Sequence, residues 1–134
     1  MSRKSVNPER LFNTTQFGFS QITISDKRRQ VFISGQVAWN EKMEIVGKDN
    51  LQLQAQKAID NLKLALEEIG GSLDDIMMLR IYKVDYKSED GPIISGVLKN
   101  NFGTENPPAS TWINVQGLAN EDFMIEIEAQ AIIE

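Results

Sequence analysis

These 134 residues predict an α+β domain in the order β-β-α-β-α-β-β, with both helices packed on one face of a mixed sheet. Three observations carry that expectation. From Ile125 to Ile133 every odd position is apolar, while Met124, Glu126, Glu128 and Gln130 hold even positions, the period of a strand with one core face. From Leu51 to Ile69 the apolar residues step by threes and fours, as on one stripe of a helix. Ile93, Ile94, Val97, Leu98 and Phe102 repeat that spacing over a shorter stretch set between strand-like runs.

Taken in order, Phe19 to Ser25 reads as a strand, with Ile22 and Ile24 on one face and Gln21 and Thr23 on the other. Gln30 to Trp39 is a longer, more apolar strand, and the basic run Lys27-Arg28-Arg29 between the two reads as a solvated turn closing a hairpin. Asp49 to Ile69 is the first helix, its stripe formed by Leu51, Ala55, Ala58, Leu62, Ala65, Leu66 and Ile69. Asp49 followed by Gln52 resembles a capping box, and Gly70-Gly71 supplies a left-handed stop. Ile76 to Val84 alternates Met77, Leu79 and Ile81 with Met78, Arg80 and Tyr82 as a strand. Asp74-Asp75 just before it reads as a turn, since two adjacent carboxylates do not define a coordination sphere. Pro92 to Phe102 is the second helix, with Pro92 suited to its first turn. Ser110 to Gln116 and Phe123 to Ile133 close the chain as strands.

A chain of this length, 41% hydrophobic and 25% charged, fits a single domain over residues 1–134. Its longest apolar runs fall well short of a membrane span, and Met1 to Arg10 lacks the apolar core of a secretory signal, so a cytoplasmic protein without membrane partners is expected. Zero Cys and zero His exclude disulfides, thiol nucleophiles, imidazole bases and the usual transition-metal ligands; no metal and no cofactor are expected. The net charge of −5 disfavours nucleic acid as a partner.

Side-chain parity assigns Ile22, Ile24, Val31, Ile33, Leu79, Ile81, Ile113, Val115, Ile125 and Ile127 to the helix-covered face. Phe19, Ser34, Gln36, Arg80, Tyr82, Ser110, Trp112, Asn114, Glu126 and Glu128 then share the other face. Its mixture of aromatic and charged residues suits a subunit interface with polar clefts better than open water.

Ser34-Gly35-Gln36 at the end of an apolar strand, Asn106-Pro107-Pro108-Ala109-Ser110 entering another, and Ile125-Glu126-Ile127-Glu128-Ala129 together resemble the YjgF/RidA family of reactive-intermediate deaminases. The resemblance covers essentially the whole chain. It implies a chorismate-mutase-like fold assembled as a homotrimer, with a small-metabolite cleft between neighbouring subunits. In the deaminase branch, it further implies, an Arg in the cleft holds the carboxylate of a 2-aminoacrylate-type imine, and a Glu on the last strand positions water.

This chain departs from that pattern at the anchor. Ser110 stands where the branch has Arg, and a hydroxyl cannot reproduce the bidentate, charge-assisted grip of a guanidinium. Trp112 stands where the branch often has Cys, Phe19 where it has Tyr, and Ser95 falls near a family Asn. Glu126 is therefore the candidate for water positioning; Phe19, Ser34, Gly35, Gln36, Ser95, Ser110, Trp112 and Arg80 are candidates for ligand contact. Bland readings stand beside each. Glu126 and Arg80 share a parity and can form a structural ion pair, Gly35 suits a plain twist or bulge, and Trp112 suits interface packing. Ser110 has no His partner and is not a nucleophile.

Overall fold

The alternating segment of the sequence becomes the interior strand of the sheet. In the computed structural model, which describes residues 3–26 and 29–134, the strands are β1 (Lys4–Val6), β2 (Ile22–Ile24), β3 (Arg29–Gln36), β4 (Ile76–Val84), β5 (Ala109–Val115) and β6 (Ile125–Ile133), and the helices are α1 (Leu51–Glu68) and α2 (Asp90–Phe102). The main sheet runs β3-β6-β4-β5, with β4 and β5 parallel and the other two pairs antiparallel. Every odd residue of β6 from Ile125 to Ile133 is buried, as its period requires.

Both helices cover one face. Leu51, Ala58, Leu62 and Leu66 of α1 and Ile94 and Leu98 of α2 join Leu79, Ile81 and Ile127 in one core. Each buried Leu or Ile side chain among them contributes about 1.5–3 kcal/mol of hydrophobic stabilisation. Asn50 caps α1, its Oδ1 accepting from the Leu53 amide at 3.0 Å. Asp49, expected in that role, sits at φ 60°, whereas a capping residue needs the extended conformation that Asn50 adopts. The expected stop holds: Gly70 is left-handed, and the Gly71 amide donates to the Leu66 carbonyl at 2.8 Å. Ile69 lies beyond the last helical residue and is 42% exposed.

Gln54, a polar residue outside the predicted stripe, is fully buried. Its amide donates to the carbonyls of Asp122 at 2.9 Å and Gly47 at 3.2 Å and accepts from the Met124 amide at 2.9 Å. One side chain thus satisfies backbone groups of the loops entering α1 and β6.

The predicted hairpin is not formed. β2 pairs antiparallel with β1, Val6 opposite Ile22, in a separate two-stranded sheet, while β3 pairs with β6. Ile22 and Ile24 are accordingly 43% and 51% exposed rather than in the core. Lys27 and Arg28 of the predicted basic turn lie outside the described residues. β1 gives no sequence signal because three residues are too few for a period. Arg3 ties this segment down. It is 3% exposed, donates to the carbonyls of Asn106, Leu73, Asp74 and Ile76, and lies over the Phe102 ring. Burial lowers its pKa to about 10, against the opposing pull of Asp74 and Asp75.

Asp74 and Asp75 fall in a single 3₁₀ turn, Leu73–Asp75, where the Asp75 carboxylate accepts from the Ser72 amide at 2.8 Å in a capping box. Among the described residues, no helix is long and apolar enough to cross a membrane.

Candidate functional site

β3 breaks its pairing with β6 between Ile33 and Gln36, so Ser34 and Gly35 form a bulge. The Glu126 side chain lies across it. A Cβ added at Gly35 would stand 2.6 Å from the Glu126 carboxyl carbon, so only glycine admits the carboxylate in this position. Glu126 faces away from the helices, opposite Tyr82 on β4. Burial, and secondarily the charge of Glu128, raise its pKa above the usual carboxylate value. The bulge also reverses the parity of Gln36, which pairs with Ile127 on the helix side instead of sharing the open face with Ser34. Its amide reaches back to the Ser34 carbonyl at 3.0 Å.

Arg80 sits opposite Glu128 rather than Glu126. Among the described residues it makes no ion pair within 4 Å, and the Tyr82 hydroxyl donates to the Glu128 carboxylate instead. That bond, with burial and the negative charge of Glu128, holds the Tyr82 proton above its ordinary pKa.

β5 carries the main correction. In its parallel register, Ser110 lies beside Leu79, Trp112 beside Ile81 and Asn114 beside Lys83, which puts all three on the helix side. Ile113 lies beside Tyr82 on the open face and is 38% exposed. β5 is an edge strand, where neither face is fully covered, so residue hydrophobicity does not report which way it points. Its entry is fixed at the Pro107-Pro108 corner: Ser5 and Ser20 hydroxyls donate to the Pro107 carbonyl and the Ser20 amide to Pro108.

From there Trp112 reaches the gap between β5 and α2. Its indole N–H donates to Ser110 Oγ at 3.1 Å, and its ring meets Phe19 with centroids 6.2 Å apart. Gly18, at φ 90°, brings the chain so close to α2 that an added Cβ would stand 2.9 Å from Leu98 Cβ. The result is a cavity of about 400 Å³ between the 3₁₀ turn Thr15–Phe17, the start of α2 and Trp112, lined by Gln16, Phe17, Tyr86, Ser95 and Lys99. Tyr86 is held at its mouth by its amide, which donates to Asn114 Oδ1 at 3.0 Å.

The predicted residues therefore fall into two groups on opposite sides of the sheet. Ser34, Gly35, Glu126 and Arg80 gather on or beside the open face; Ser95 and Trp112 line the cavity behind β5, and Phe19 and Ser110 contact Trp112. Gln36 lines a separate hollow of about 550 Å³ beside α1 with Gly35, Trp39, Lys57 and Asn61. Sequence reasoning missed Phe17, Tyr86 and Lys99. A signal existed for Lys99, one helical turn beyond Ser95 on the same face of α2.

Residues 13–133 match the family model described as endoribonuclease L-PSP. YyfB of Yersinia pestis, described as a conserved Rid-family protein of unknown function, has a similar structure with a TM-score of 0.94 at 35% identity, covering 99% of this chain and all of that one. A RutC family protein of Pyrococcus abyssi is 32% identical over 75% of this chain and 76% of its own length. The 3-aminoacrylate deaminase RutC of Acinetobacter baylyi is 31% identical over 75% of this chain and 77% of its own.

Proposed function

From the premise that this chain belongs to the endoribonuclease L-PSP family, the YjgF/RidA proteins, we propose that it binds a small metabolite in clefts between copies of itself, three to an assembly. The inherited chemistry is hydrolysis of an imine or enamine. An enamine reacts as its imine tautomer. Glu126 takes a proton from water as the oxygen adds to the C=N carbon and returns it to nitrogen; the hydroxyl proton of that adduct then passes to nitrogen as the C–N bond breaks, leaving a carbonyl product and ammonia. A carboxylate with its pKa raised by burial is a stronger base than an exposed one, which suits it to that exchange.

The observation that carries the intersubunit reading is the division of the candidate residues across the sheet. Glu126 over its glycine is on one side and the cavity behind β5 is on the other, so a cleft using both groups draws them from two chains. Activity on 2-aminoacrylate is expected to be weak or absent, because position 110 offers a hydroxyl rather than a guanidinium. Ammonia and keto-acid release from freshly generated imines, compared for wild type, Glu126→Ala and Ser110→Arg, tests this. Wild-type turnover lost in Glu126→Ala supports the deaminase reading; efficient 2-aminoacrylate hydrolysis by wild type contradicts the role given to position 110. A monomer of 15.1 kDa at micromolar concentration would remove the intersubunit cleft.

A second reading, a noncatalytic binding protein, is favoured by one contact: the Ser110 hydroxyl already accepts the Trp112 indole N–H, so the anchor position serves packing. It predicts ligand-dependent stabilisation without product. RNA cleavage is disfavoured by the net charge of −5 and the absence of His.

A further inference from the structure

The cavity behind β5 has three aromatic walls, Phe17, Tyr86 and Trp112, and one charged residue, Lys99. Among the described residues no carboxylate lines it, although acidic residues outnumber basic ones in the chain by 19 to 14. The Lys99 stem passes close to Gly18, where an added Cβ would lie 3.3 Å from Lys99 Cγ, so the tight approach of that chain segment to α2 also borders the lysine. Among the described residues no ion pair neutralises Lys99. Arg80, the cation singled out in the sequence, lies on the opposite side of the sheet.

We infer that Lys99 is the cationic anchor of this cavity and that its ligand is an aromatic carboxylate, such as an aryl-substituted 2-oxo or 2-imino acid. The inference rests on the metabolite-binding reading above and specifies the ligand's chemistry. Flat rings stack against aromatic walls, and the ammonium pairs with the carboxylate at the cavity's rim as a point charge. Gln16 and Ser95 add polar groups along the same lining. A volume of about 400 Å³ lies in the range that holds drug-sized ligands, well above what a three-carbon acid fills. The position-110 substitution is then a relocation of the cation, from the strand to the helix.

Calorimetric titration with phenylpyruvate, pyruvate and the uncharged phenylacetone tests the assignment in wild type, Lys99→Met, Lys99→Arg and Arg80→Met. The expected result is phenylpyruvate binding at least tenfold tighter than either other compound. Lys99→Met should weaken it at least tenfold, while Lys99→Arg stays within about threefold of wild type. Unchanged phenylpyruvate affinity in Lys99→Met, a loss confined to Arg80→Met, or equal affinity for pyruvate overturns the inference alone and leaves metabolite binding standing. If wild type binds none of the three and turns over no imine, both fall.

Discussion

The carboxylate of Glu126 occupies the space that a side chain at residue 35 would fill, with a hypothetical Gly35 Cβ only 2.6 Å from Glu126 Cδ. The bulge in β3 and the candidate catalytic acid on β6 are therefore one unit. Gly35→Ala is expected to lose about 1 kcal/mol of stability, the low end of overpacking costs, because the methyl must push aside the end of a flexible side chain. In a Glu126→Ala background most of that loss should vanish. Urea melts of the four variants in a double-mutant cycle check the coupling, and additive losses would separate the two residues.

Glu126 also has a pH signature. Its pKa is raised in the fold, so the charged form weakens the native state and the contribution becomes unfavourable as pH rises through the folded value. Glu126→Gln is expected to be more stable than wild type at pH 7, with the gap closing below the ordinary carboxylate pKa of 4.5. Thermal melts from pH 4 to 8 read the difference directly; a gap independent of pH would contradict it.

The buried ion pair at the start of α2 behaves in the opposite sense. Lys83 Nζ lies 3.1 Å from Asp90 Oδ2, with the lysine side chain only 5% exposed. Burial pushes the Asp90 pKa up, but the Lys87 amide and the charges of Lys83 and Lys87 outweigh it and leave it lowered. Its stabilisation is present above the unfolded pKa and lost as pH falls through the folded one. Asp90→Asn should lose about 3 kcal/mol at pH 7 by leaving a buried ammonium uncompensated, and its acid unfolding should be flatter than wild type. Lys83→Met combined with Asp90→Leu should recover most of the loss.

Gln54→Leu is expected to lose at least about 3 kcal/mol, since it strands the Gly47 and Asp122 carbonyls and the Met124 amide in a buried setting. Hydrogen exchange at Met124 should quicken more than at Ile127 in the middle of β6. Uniform loss of protection would place the defect in the global fold instead.

The helices and the face of β6 were legible in the sequence because a long period averages out local exceptions. The site was legible only in part. Strict alternation along β6 put Glu126 on the open face, and the resemblance to the family, through Ser34-Gly35-Gln36 and the Glu of the last strand, singled out Glu126 and Gly35. One extra residue in the β3 ladder reversed Gln36, and composition marks such a bulge only by its glycine. Trp112 and Ile113 exchanged faces because both are large and apolar and the edge strand buries neither completely. The pairing of β5 with β4, not the side chains of β5, decides between them. Lys99 escaped notice as one more charge on an exposed helix face.

The place of β6 in the sheet bears on how the chain folds during synthesis. β3 and β4 have no ladder between them; each hydrogen-bonds to β6, and Arg29 meets Ile133 across 104 positions. Until residues 125–133 have left the ribosome, the two earlier strands have no common partner, and α1 has only part of the surface it will cover. The nascent chain therefore carries β3 without its sheet partner, and β4 with only β5 to pair with, until β6 emerges, at a stage when open edges invite pairing with other chains. Joining β3 to the β4–β5 pair waits on one nine-residue segment.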